Sequence, residues 1–214
     1  MRKELRFTAD KELRTLGSDD EMKIGGYAAV FEKYSQPIGR FIEKIAKGAF
    51  ASSLAQDDIR ALWSHNSDIV LGRTRNQTLR LFEDDFGLGF ELMLPATQAG
   101  RDAYTSIKRG DVSGVSFGFS VLSDSWKKGE EGKPHERTLN TIKLFEISPT
   151  AFPAYEQTSV AVRAADDAVL EVEKQWAREL EAALETAEQD EKQRAFHAMR
   201  MKLRRAELGL KANV

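Results

Sequence analysis

A mainly β domain of the α+β class, built as a small barrel of mixed strands with surrounding helices and followed by a charged helical tail, is what this 214-residue sequence predicts. Three observations carry that expectation. Short segments with period-two apolar alternation recur through the earlier part of the chain, as half-buried strands require. All five prolines and fourteen of the fifteen glycines lie before position 154, so the turns that connect short strands are confined there. Residues 166–207 contain neither, and Val169, Val172, Trp176 and Leu180 recur at helical spacing. The break in composition sets a boundary near Ala164, with a compact domain over 1–163 and a tail over 164–214.

Leu5 and Phe7 open the first strand. Segments 24–31, 59–63 and 69–73 continue the pattern, and 78–82 with 88–94 flank Asp84-Asp85-Phe86-Gly87 as a hairpin. Segments 112–122 and 138–147 are the last strands, separated by the polar stretch 127–134. Two helices fall between strands: a short one over 50–56, and one over 98–108 with Thr97 as N-cap and Ala99, Ala103 and Ile107 on one side. Seven or so short strands with one or two helices suggest a closed or nearly closed barrel. In the tail, 166–191 is mostly acidic, whereas 192–205 carries six Lys and Arg residues and no acid. The two halves suit antiparallel pairing with each other or with a partner helix, and equally a solvated helix held by local ion pairs.

Composition removes several function classes. Hydrophobic residues at 41% and charged residues at 31% describe a globular chain, and a net charge of -2 provides no overall attraction to nucleic acid or an anionic membrane. No cysteine is present, so no thiol nucleophile, disulfide or Cys-ligated metal is available. His65, His135 and His197 are far apart and lack metal-ligand spacing, so no metal or cofactor is expected. The N-terminal residues contain no apolar signal region, and no apolar run approaches the roughly 18 residues that span a bilayer. A soluble cytoplasmic protein is expected.

Hydrolysis would then fall to Ser or Thr with a base, or to carboxylates. His65 ends the strand-like run Ala61-Leu62-Trp63-Ser64-His65, ahead of the turn-rich Asn66-Ser67-Asp68. Such a placement suits a general base near neutral pH, or a histidine bonded within its own turn. In 112–121 the apolar Val115, Phe117, Phe119 and Val121 share one strand face, and Ser116, Gly118 and Ser120 share the other. Ser116 is thus either a nucleophile with room beside it or part of a wet sheet face. Glu146 lies among Leu144, Phe145 and Ile147, before the turn that Pro149 would enforce. A carboxylate there must find donors or be pushed upward in pKa; orienting a histidine and pairing with Arg73 or Arg75 both satisfy it.

Three words, in this order, carry a resemblance: Leu62-Trp63-Ser64-His65-Asn66, Gly114-Val115-Ser116-Phe117-Gly118-Phe119, and Glu146-Ile147-Ser148-Pro149-Thr150-Ala151-Phe152-Pro153-Ala154-Tyr155. Over residues 1–163 the chain resembles the prohead proteases of tailed bacteriophages, a family similar in fold and mechanism to the herpesvirus assembly protease. The resemblance implies a serine protease domain with His65 as general base, Ser116 as nucleophile and Glu146 as the group that orients the imidazole. The herpesvirus enzymes use a second histidine in that third place. They also carry an arginine in the loop after it, where this chain has Ser148-Pro149-Thr150-Ala151 and no arginine before Arg163, which leaves backbone N-H groups of that turn for the oxyanion.

By the same resemblance the substrate is the major capsid protein, whose N-terminal scaffold-like segment is removed inside the prohead in the host cytoplasm, and the enzyme then cleaves itself. The tail would be a targeting segment lost in that self-cleavage, and no nucleic acid or membrane is implied as a partner. Two competing readings are a noncatalytic internal capsid scaffold protein with Ser116 on the strand surface, and a small barrel binding an apolar ligand.

Overall fold

The computed structural model describes residues 3–8, 13–151 and 159–211, which form two compact units, 1–166 and 167–214. The first unit is built from two sheets. A mixed sheet has the order β1 (Glu4–Thr8), β9 (Gly114–Lys127), β10 (His135–Thr150), β5 (Arg60–Trp63) and β6 (Asn66–Arg73), and β4 (Phe41–Ile45) also pairs with β10. An antiparallel sheet has the order β2 (Arg14–Leu16), β3 (Lys23–Val30), β8 (Gly87–Met93) and β7 (Leu79–Glu83).

Strand β10 organises the first sheet. Its sixteen residues run antiparallel to β9 along one edge, while the other edge takes two parallel partners in succession, β4 from His135 to Leu139 and β5 at Glu146 and Ile147. Residues 46–53, leading into helix α1 (Ala51–Gln56), fill the gap between them. Ala46 N-H donates to Leu139 O (3.0 Å), Ile142 N-H to Ala49 O (3.0 Å), and Leu144 N-H to Ser53 Oγ (2.9 Å). Each bond matters because a buried amide left unpaired costs about 1 to 3 kcal/mol. The backbone leading to Glu146 is thus held along both edges.

The sheets share one hydrophobic core. Ile24, Leu88, Phe90 and Leu92 from one meet Val115, Phe117, Phe119 and Ile147 from the other, with Phe50 beside α1 completing the same core. Phe117 stands edge-on to Phe50 at 5.9 Å and stacks on Phe119 at 5.1 Å. Full burial of one such ring contributes about 1.5 to 3 kcal/mol.

The expected closed barrel is not what forms. The sheets are separate, with β1 and β6 ending one path and β2 and β7 ending the other. Alternation identifies strands but not which edges pair, so closure cannot be read from it. Two strands escape the alternation pattern. β2 has only three residues, and β4 turns Phe41, Glu43 and Ile45 inward, where the buried Glu43 breaks the apolar series. The 84–87 hairpin forms as expected between β7 and β8.

Helix α2 (Gln98–Arg109) starts at its expected cap, where Thr97 Oγ1 accepts from Gly100 N-H at 3.3 Å, and ends at Gly110, whose φ of 82° needs a residue without Cβ. Its buried stripe is Gly100, Ala103, Tyr104 and Ile107; Ala99 lies only half-buried beside it. Helix α3 (Ser159–Lys211) supplies the second unit, where Leu180, Leu184 and Met199 are exposed. Among the described residues no helix is long and apolar enough to cross a membrane.

Candidate active site

The β5-β6 connection is tighter than the sequence suggests. Trp63 pairs with Asn66, which leaves Ser64-His65 as a two-residue turn, and Asn66-Ser67-Asp68 begins β6 instead of forming the turn. Both turn residues are left-handed, with φ of 50° for Ser64 and 62° for His65. The strand twist calls for this geometry, which Asn and Gly usually supply; each side chain placed there adds about 1 to 3 kcal/mol of strain.

The end of β10 holds the strained turn. Ser64 N-H donates to Pro149 O (3.1 Å), Ser64 Oγ lies 3.2 Å from Thr150 Oγ1, and His65 N-H donates to Ser148 Oγ (3.1 Å). The proline-enforced turn expected after Glu146 is therefore absent. β10 continues through Thr150, with Ser148, Pro149 and Thr150 opposite Ser116, Val115 and Gly114. Pro149 fits here because its carbonyl is what the turn requires and it contributes no N-H.

His65 and Glu146 are in direct contact, with Nδ1 2.8 Å from Oε1. Glu146 is buried, and two further donors reach it: Ser148 Oγ-H to Oε2 at 2.7 Å and Lys3 Nζ to Oε1 at 3.2 Å. Burial alone would raise its pKa, but the hydrogen bonds from His65 and Ser148 and the charges of His65 and Lys3 outweigh it and hold the carboxyl below the usual value of 4.5. An ionised carboxylate only accepts, so Nδ1 carries a proton, and whenever the ring is neutral its lone pair lies on Nε2. That atom is buried and has no hydrogen-bond partner among the described residues.

Ser116 is brought close without being joined to this pair. It is fully buried, not on a wet face, and its hydroxyl donates to Arg6 O in β1 at 2.8 Å. Its ladder partner across β9 and β10 is Ser148, and the next pair on the same face is Gly118 and Glu146. The space beside Gly118 is occupied: a Cβ there would collide with Glu146 Oε1 and Lys3 Cε. Arg73 is not a partner of Glu146, since its Nε donates to both Asp58 oxygens at 2.7 and 2.8 Å. Local sequence gives neither Ser148 nor Lys3 a role as a donor to Glu146. Period-two spacing does put Ser148 on the face of Glu146, but Ser-Pro reads as the start of a turn.

A family model described as caudovirus prohead serine protease matches residues 9–172. The chain belongs to this family. It is 27% identical over 164 residues to the prohead protease of Enterobacteria phage HK97, an alignment that covers 75% of this chain and 68% of that protein. No solved structure matches the chain, so the herpesvirus-like architecture expected above rests on the sequence words alone. As a member of the prohead serine proteases, the chain is a capsid maturation protease, and the buried Ser116 and Glu146 on β9 and β10, with the half-buried His65 of the β5-β6 turn, are its candidate machinery.

Proposed function

We propose that Ser116, His65 and Glu146 act as nucleophile, general base and orienting carboxylate of a serine endopeptidase that removes the N-terminal scaffold-like segment of the major capsid protein. One observation carries the reading: a half-buried His65, bonded to the buried Glu146, keeps a buried Nε2 without a hydrogen-bond partner among the described residues, on the sheet that also holds a fully buried serine. A noncatalytic scaffold has no use for such an arrangement, and its Ser116 would lie on the strand surface.

The chemistry follows from proton inventory. For the reaction Ser116 Oγ must give up its bond to Arg6 O and donate to Nε2 instead. Nε2 accepts the hydroxyl proton as Oγ adds to the scissile carbonyl, and Glu146 stabilises the resulting imidazolium without taking the proton. His65 then protonates the leaving amine, and a water attacks the acyl-enzyme through the same base. Ser148 is the weaker nucleophile candidate, because its proton is committed to Glu146 and its oxygen accepts from His65 N-H.

The enzyme acts inside the prohead in the host cytoplasm, on the coat protein and then on itself. Self-cleavage near residue 164 releases the charged tail, which serves as a targeting segment for the coat protein or a second protease copy. Intact mass spectrometry of the chain co-expressed with the major capsid protein of its own phage tests this. The expected result is loss of a defined coat N-terminal segment and trimming near 164, both absent in Ser116→Ala. Identical masses for wild type and variant in assembled particles would refute it and favour a scaffold role.

A further inference from the structure

We infer that Ser148 is a positioning residue of this site: its single hydroxyl fixes both the carboxylate that orients His65 and the backbone of His65 itself. The inference rests on the reading of His65 as general base. A serine hydroxyl has one proton and two lone pairs. Here the proton goes to Glu146 Oε2 at 2.7 Å, and a lone pair receives His65 N-H at 3.1 Å. Ser148 is fully buried, so replacing either bond with water would require the site to open.

Three features of the surroundings give these bonds a purpose beyond satisfying a buried hydroxyl. The carboxylate divides its oxygens, Oε1 taking His65 Nδ1 and Lys3 Nζ while Oε2 takes Ser148, so removal of Ser148 leaves Oε2 without a donor among the described residues. The His65 backbone is left-handed, and the Ser148 bond is the one that reaches the amide of that residue. Ser148 also stands opposite Ser116 on β9, so the oxygen that sets the base lies across the ladder from the proposed nucleophile. Displacing a reacting group by about 1 Å can cost about 100-fold in rate.

The same geometry sets a direction with pH. Among the described residues, the charged groups in contact with the imidazole and its partner are Glu146 on β10 and Lys3 just before β1. With one donor fewer, the carboxylate becomes more basic and holds the imidazolium more tightly, so His65 stays protonated to higher pH. A serine that merely fills space moves neither the ring titration nor the pH dependence.

The test compares the full chain with Ser148→Ala and Ser148→Thr; Ser148→Cys, close in shape and a poor donor, takes the place of Ser148→Ala should that variant fail to melt cooperatively. Two readouts are taken, the NMR titration of the His65 imidazole and the rate at which a fluorophosphonate labels Ser116 across pH. The expected result for Ser148→Ala is an upward move of the His65 midpoint and of the labelling profile, with about 10- to 100-fold slower labelling in the inactivation step and little change in initial binding. Ser148→Thr restores both. An unchanged titration and profile in a folded Ser148→Ala would overturn the inference, whatever its effect on melting. A wild type that never labels, while Ser148→Ala still moves the His65 titration, would remove the protease reading and leave the positioning role standing.

Discussion

Two polar clusters occupy the same sheet and differ in one respect. Toward one end, Glu4, Arg6, Glu43, Asp124 and Arg137 from β1, β4, β9 and β10 form a closed ion network. Arg6 bonds Glu43 and Glu4, and Arg137 reaches Asp124 (2.7 Å), Glu4 (3.2 Å) and Glu43 (3.3 Å) while lying over Phe41 and Trp126. Burial opposes charge on Glu4, but Arg137 and Arg6 outweigh it and lower its pKa. Toward the other end, Glu146 is equally well supplied with donors, yet His65 Nε2 has no partner among the described residues. A network in which charges answer one another holds strands together. A network that leaves one buried basic atom unbonded among the described residues, next to a strained turn, is the kind expected of the proposed general base.

The contrast is sharpest at Ser116. Ser116→Ala is expected to reduce cleavage by about a million-fold while shifting stability by only about 1 kcal/mol, the worth of its bond to Arg6 O. Product mass and thermal melting read the two effects separately. The opposite signature belongs to Arg137→Ala, which leaves Glu43 buried with fewer cationic partners. It should cost about 3 kcal/mol in denaturant unfolding and leave the folded fraction catalytically competent. Comparable losses of activity and stability in both variants would erase the distinction.

Gly118→Ala probes how closely the site tolerates a neighbour. The added methyl meets the movable ends of Glu146 and Lys3, so the fold should persist while activity falls about 100-fold through the displaced carboxylate. Lys3→Ala should do least, since that side chain is 48% exposed and its ion pair is screened: under about 0.5 kcal/mol in stability and only a few-fold in rate.

The two clusters also share a pH signature. Glu4 and Glu146 both have folded pKa values below the unfolded value near 4.5, so their contribution to stability is complete above that value and is lost as pH falls through the lower folded values. Glu146→Gln should flatten part of the stability slope below pH 4.5 and, by no longer holding the correct tautomer, reduce activity by about 10,000-fold. An acid melt that coincides with wild type would contradict the assigned ionisation.

Much of the candidate site, as proposed, was legible because chemistry and local pattern coincide there. His65, Ser116 and Glu146 stand out as a base, a small polar residue and a buried acid within strand-like words, and Thr97 announces its helix. What stayed hidden depends on pairing across long separations. Nothing local to Ser116 says that β1 lies beside it and takes its hydroxyl, and nothing near Glu146 points to Lys3. Glu43 looks like a solvent-facing residue until Arg6 and Arg137 arrive from other strands, which is why β4 went unread. The turn at Ser64-His65 was missed because neither residue is a usual left-handed one; bonds from the end of β10, more than eighty residues away, make it affordable.

Which hydroxyl reacts decides the assignment of Ser116 most directly. Particles assembled with the major capsid protein, treated with a fluorophosphonate and digested for peptide mass mapping, answer that question. The adduct is expected on the peptide that contains Ser116 and is expected to vanish in His65→Ala. An adduct on Ser148, or labelling of Ser116 that persists without His65, would contradict the assignment.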